Sequence, residues 1–144
     1  MKAYWRLAAS LLILIALFFG WHGLATAPAA TAQIHGHTLR LEYADTPAQQ
    51  EKGLGGRDTL PAEQAMLFRF KEAAQQCFWM KDMRFSLDII WLDAAKKVVH
   101  IEPDLSPATY PRDYCPAEPA QYVLEANAGT TQAFHLKVGD SISF

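Results

Sequence analysis

The sequence predicts a mainly-β fold, a single sandwich or barrel with one or two short helices over residues 33–144. Three observations lead there. Residues 38–43 alternate at period two, with Leu39, Leu41 and Tyr43 on one face and Arg40 and Glu42 on the other. Residues 77–93, CFWMKDMRFSLDIIWLD, read as two strands with almost no polar relief. The rest of the chain supplies further short strands, two helical turns and one long loop, without internal repeats.

The first 32 residues read as an export segment outside the fold. Lys2 and Arg6 precede an uncharged apolar run from Leu7 to Phe19, and Ala30-Thr31-Ala32 forms an A-x-A cleavage signature before Gln33. The alternative is a retained membrane anchor, because Leu7 to Ala27 is uncharged over about the length that crosses a bilayer. Both readings place the domain outside the cytoplasm, in the periplasm or beyond the cell. Membrane contact is expected only through residues 1–32, if they are uncleaved.

Thr46, Pro47 and Gln49 form the capping box of a short helix that Gly53 ends. The LGGR segment, residues 54–57, is a glycine-loosened loop, and Gly55-Gly56 allows close backbone approach. Residues 66–70 form a strand. The central pair covers residues 77–81 and 87–93, which predicts a hairpin. In the second strand Leu87, Ile89 and Trp91 face one way and Asp88, Ile90 and Leu92 the other. A strand apolar on both faces lies between two layers, so Asp88 requires a cation or several N–H donors. Residues 98–102 are another strand. Pro103 to Pro119 holds five prolines and reads as an irregular crossing loop. Residues 122–126 form a strand, Thr130 caps a helical turn, and residues 141–144 close the domain as a strand.

Acidic residues outnumber basic ones, 15 against 13, and no basic run occurs, which argues against nucleic acid as a partner. A monomer is expected. Cys77 and Cys115 are the two cysteines, and an even count behind an export segment predicts a disulfide, the alternative being two buried thiols.

Three segments carry a resemblance: ADTPAQQEKGLGGRDTLPAEQAMLFRF (44–70), FWMKDMRFSLDIIWLD (78–93) and YVLEANAGTTQAFHLKVGD (122–140). In this order they resemble the domain of unknown function family numbered 192, small and often exported bacterial and archaeal proteins. The resemblance implies a mainly-β, jelly-roll-like fold and brings no catalytic or cofactor residues with it. Gly55, Asp82-Met83 and Ser86 depart from the pattern, which has Met, Asn-Thr and Pro at those places.

Arg57, Lys81 and Asp88 are the charges expected to meet, Lys81 and Asp88 across the central hairpin. Such a cluster is either a structural ion-pair set or part of a ligand site. Trp79, within the aromatic group Phe78, Trp79, Phe85 and Trp91, is either core or the wall of a pocket for a sugar, lipid or aromatic group. Tyr110 and Tyr114 suit the proline loop to covering such a pocket as a lid. His35 would become the third residue after cleavage at Ala32, a setting for Cu(II) or Ni(II) on the free amine. No other metal and no cofactor is expected. GxSxG, P-loop and dinucleotide motifs are absent from the sequence. The function expected is that of an exported module binding a small ligand or envelope component without catalysis. The alternatives are an envelope-acting hydrolase using carboxylates from among Glu42, Asp88 and Glu125, and a protein–protein accessory factor.

Overall fold

The computed structural model describes residues 29–144. The export segment proper, including Lys2, Arg6 and the apolar run, lies outside the described residues. The mainly-β expectation holds. Six strands form one mixed sheet, and two short strands form a separate ribbon.

The chain enters through β1 (Thr31–Ile34) and turns at His35-Gly36 into β2 (His37–Ala44). Both turn residues have positive φ, 46° and 85°, the geometry of tight two-residue hairpins. Strand β1 therefore occupies residues read from sequence as the cleavage signature. Ala32 and Ile34 are buried on β1, and a chain cut after Ala32 loses half of the strand.

Helix α1 (Pro47–Lys52) forms as its capping box predicts. Gln49 N donates to Thr46 Oγ1 at 3.3 Å, and Thr46 N donates to Gln49 Oε1 at 3.0 Å. The helix and the LGGR loop form the crossover that a parallel pairing of β2 with β3 (Gln64–Ala74) requires. The sheet continues antiparallel through β8 (Ala120–Asn127), β5 (Leu87–Leu92) and β6 (Val98–Leu105), in the order β1-β2-β3-β8-β5-β6.

Strand β5 is buried along its whole length, as a strand apolar on both faces should be. Leu87, Ile89 and Trp91 join one core with Phe68, Met80 and Val123. Ile90 and Leu92 join a second core with Leu39, Leu67, Leu124 and Ile142. The sheet does not close as a barrel. Its two edges, β1 and β6, do not pair with each other. Residues 141–144 run between them, bridging Gln33 through Ser143 and Lys97 through Ser141. The predicted closing strand is thus two isolated bridges.

Two expectations fail at the central segment. Strand β4 (Phe78–Trp79) pairs with β7 (Asp113–Tyr114), not with β5, so no hairpin brings Lys81 opposite Asp88. The proline segment is also more ordered than predicted. Pro103 lies inside β6, an edge strand that tolerates a missing N–H, and Pro107–Thr109 is a single 3-10 turn. The Cys77–Cys115 disulfide extends the β4–β7 ribbon beyond its Phe78–Tyr114 pair.

Helix α2 (Thr130–Ala133) has Gly129, not Thr130, at its N-cap position. Thr130 Oγ1 instead donates to Asn127 O at 2.7 Å. The capping group comes from β5: Asp88 accepts from Gly129 N at 3.1 Å and from Thr131 N at 2.7 Å.

Candidate functional site

Among the described residues, Glu125 is the buried polar side chain that the fold leaves unsatisfied. It lies on β8, on the same strand face as Val123, and is directed into the core beneath the LGGR loop. Its side chain is buried, and Oε2 has no hydrogen-bond partner among the described residues. Burial pushes its carboxyl up to about 8, with the Leu54 backbone N–H and the Arg57 charge opposing the shift. At neutral pH this group is therefore mostly an uncharged acid.

Glycines set the roof over it. A Cβ on Gly53 would stand 3.3 Å from Glu125 Oε2 and 3.3 Å from the Phe68 ring. A Cβ on Gly55 would stand 2.9 Å from Lys52 O. The loop can therefore lie close to β8 and to the turn after β4, where Gly56 N donates to Asp82 O at 2.8 Å. The close approach expected of Gly55 is to the protein's own chain. Asp82 turns that segment with φ 57°, a conformation that Asp and Asn adopt more readily than other side chains.

Between α1 with its loop and the residues after β4 lies an inner cavity of about 160 Å³, with Glu125 and Leu54 among its lining and Phe70, Phe78 and Trp79 as aromatic walls. It adjoins a wider, open cleft of about 750 Å³, and Lys52 and Lys81 line both. Trp79 is 43% exposed, and Lys81 Nζ stands 5.7 Å from the centre of its ring.

The sequence-chosen residues separate accordingly. Trp79 and Lys81 meet at this cavity. Arg57 lies beside it, held bidentate by Glu42 at 2.9 and 2.7 Å, and acts on Glu125 through its charge. That pairing holds the Glu42 carboxyl below its usual range and raises Arg57. Asp88 meets neither cation. It is fully buried and accepts from Asp104 N, Gly129 N, Thr131 N and Thr131 Oγ1. The three-charge cluster predicted from sequence is therefore corrected to one Arg57–Glu42 pair, a Lys81 at the cleft beside Trp79 and a hydrogen-bonded Asp88.

The proline loop does not line the cavity. Tyr114 is buried in the core with Phe68 and Trp91, and Tyr110 is exposed and in neither lining. The segment is tied to the site by the Cys77–Cys115 disulfide and by the pairing of β7 with Phe78 and Trp79, and Cys77, Phe78 and Trp79 are all in the lining. His35 sits in the β1–β2 turn with Nε2 3.3 Å from Asp140 and Nδ1 3.0 Å from Phe134 O. The nitrogen that would become the free amine, Gln33 N, donates to Ser143 O, so it and the His35 ring are both engaged within the fold. The speculative N-terminal site does not fit this arrangement. Among the described residues no cluster of three or more His, Cys, Asp or Glu is placed to hold a metal.

Sequence reading singled out Asp88 but named Glu125 only as one of three carboxylates. The same pattern marks both. In YVLEAN, Val123 and Glu125 share one face and Leu124 and Ala126 the other, so this strand also carries one charge between two apolar layers.

Fold and cavity together define, among the described residues, a small mainly-β domain with a polar-floored pocket. The chain belongs to the DUF192 family, described as "Uncharacterized ACR", which it matches over residues 30–144. A UPF0127 protein of Thermococcus gammatolerans is 30% identical over 110 residues, 76% of this chain and 67% of its own length. A crystal structure of a protein of unknown function from Novosphingobium aromaticivorans superposes with a TM-score of 0.76 at 29% identity, covering 85% of this chain and 90% of the other. A Sinorhizobium meliloti structure, provisionally described as a transcription regulator, gives a TM-score of 0.74 at 28% identity over 83% of this chain and 97% of its own. No helix among the described residues is long and apolar enough to cross a membrane.

Proposed function

We propose that this domain binds a small molecule in the cavity under the LGGR loop, without transforming it, as a monomer outside the cytoplasm. The observation that carries this reading is Glu125 Oε2, a buried acceptor without a partner at the floor of a cavity. A buried polar atom left unpaired costs about 1–3 kcal/mol, and a ligand donor recovers that. Trp79 and Lys81 add a partly exposed aromatic surface and a positive charge, the usual composition of a small-molecule site. Placement outside the cytoplasm follows from the N-terminal basic and apolar run and agrees with an oxidised Cys77–Cys115 pair.

A second reading has one observation in its favour. Glu51 on α1 also lines the cavity, so an acid, Glu125, and a second carboxylate share it, as hydrolysis with paired carboxyls requires. The transcription-regulator description of the Sinorhizobium protein is not carried over, because this chain is net acidic and lacks a basic run.

Native mass spectrometry of protein purified from its own host tests the binding reading. A stoichiometric adduct that is lost in Trp79→Ala supports it. Bare protein, together with no response of Trp79 to a fragment library, overturns it. Release of a chemically altered adduct on incubation with wild type, but not with Glu51→Gln, favours the hydrolase.

A further inference from the structure

Three features of the cavity restrict what fits its buried end. The floor group is a carboxyl held mostly in its neutral form, with one oxygen unpartnered. The positive charges around it, Arg57, Lys52 and Lys81, oppose a cationic ligand group. The lining includes Leu54, Phe70 and Phe78, whose side chains offer an anion no donors and would strip its water. A cation is repelled by the charges, and an anion is unsolvated against the apolar side chains. A neutral hydroxyl meets neither obstacle: it donates to Glu125 Oε2 and accepts from the acid's own O–H.

Size and shape narrow the class further. The inner cavity, about 160 Å³, is well below the roughly 300–1,000 Å³ of sites for drug-sized ligands. It admits one ring. The adjoining cleft of about 750 Å³ leaves room for whatever that ring is attached to. Trp79 presents an exposed aromatic surface to the inner cavity, and Gln76, Glu51, Lys52 and Lys81 supply donors and acceptors there, the two lysines outnumbering Glu51. An aromatic platform beside mixed hydrogen-bonding groups matches a ring that has apolar C–H faces and hydroxyls around its edge.

We infer that the pocket takes a neutral saccharide ring, a terminal sugar of a larger glycan whose remainder runs along the outer cleft. This rests on the binding reading above and names its ligand class.

Saturation-transfer NMR on the whole domain tests it, with three kinds of probe: neutral sugars (glucose, galactose, N-acetylglucosamine and their disaccharides), their charged counterparts glucosamine and glucuronic acid, and non-sugar aromatic fragments. At least one neutral sugar should bind tenfold or more tightly than its charged counterpart. Trp79→Ala, at an exposed position, should weaken that sugar at least tenfold. Glu125→Gln, which keeps a neutral donor and acceptor, should stay within about threefold, and Glu125→Leu should lose binding. If charged or aromatic probes contact Trp79 and no neutral sugar does, the saccharide assignment is wrong and the binding reading stands. If no probe contacts Trp79, both fall.

Discussion

Removing the carboxylate of the fully buried Asp88 takes the acceptor from three backbone N–H groups, those of Asp104, Gly129 and Thr131, and from the Thr131 hydroxyl. At about 1–3 kcal/mol for each buried donor left unpaired, Asp88→Ala is expected to destabilise the domain by roughly 3 kcal/mol or more. Asp88→Asn keeps one acceptor oxygen but turns an NH2 toward Thr131 N, so it should cost less than Ala and more than nothing. Urea unfolding measures both, and an Asp88→Ala midpoint equal to wild type would disprove the capping role. Glu125 behaves differently because its acid form is the one the fold favours. Its folded-state carboxyl titrates near 8, above the unfolded value near 4.5. Between those values the unfolded chain has released a proton that the folded chain keeps, so stability falls as pH rises through this window, by at most about 1.4 kcal/mol per pH unit. It is fully present below about 4.5 and has been lost above about 8. Glu125→Gln should remove that slope. Stability differences between variant and wild type that stay constant from pH 5 to pH 8 would show Glu125 ionised throughout.

At the scale of elements, the ribbon β4–β7 forms one wall of the cavity and depends on a single covalent tie to stay paired. Cys77 and Cys115 close a loop of 38 residues, for which chain entropy gives roughly 4 kcal/mol as an upper estimate. Thiol titration of denatured, unreduced protein should find no free thiol. The Cys77→Ala/Cys115→Ala pair should lower stability and loosen Phe78 and Trp79, seen as faster amide exchange there than in β5. Two thiols per chain, or unchanged exchange in β4, would count against this. The ribbon also shows where sequence reading stopped. Residues 78–93 look like a hairpin because the strands are neighbours in sequence and both are apolar. Strand β4 pairs with the distant β7, and β5 lies between its sequence neighbour β6 and the distant β8; no local pattern encodes the two distant pairings. Helix α1 was legible in full, since a capping box is a local hydrogen-bond set. Strand β1 was not, because small uncharged residues serve equally as a cleavage signature and as a buried edge strand. The pocket was half legible: Trp79 and Lys81 announced themselves by residue type, whereas Gly53, Lys52 and Glu125 join them only once the crossover loop lies over β8.

At the scale of the whole molecule, the question is how an open six-stranded sheet protects two edges. An unpaired edge is a template for another chain, and domains cover it. Here residues 141–144 do so for both edges at once. Gln33 N donates to Ser143 O at 2.9 Å on the β1 side, and Ile142 N donates to Lys96 O at 3.1 Å beside β6. Ile142 is buried in the second core, and Phe144 packs edge-on to Tyr122 with ring centres 5.2 Å apart. The predicted barrel is thus replaced by a sheet whose gap is filled by a tail, and the tail should matter far beyond its four residues. Losing the buried Ile142 side chain alone amounts to about 2 kcal/mol or more. For a domain of this size that corresponds to a fall of roughly 6–12 °C in Tm. Truncation after Asp140 should therefore lower Tm by that much, and the exposed edges of β1 and β6 should make the protein associate as its concentration rises. Single Ile142→Ala should reproduce most of the loss in Tm with little of the association, because the backbone bridges survive it. Scanning calorimetry and size-exclusion chromatography with light scattering separate the two effects. A truncated chain that melts within about 1 °C of wild type and stays monomeric at millimolar concentration would show that the sheet edges need no cover.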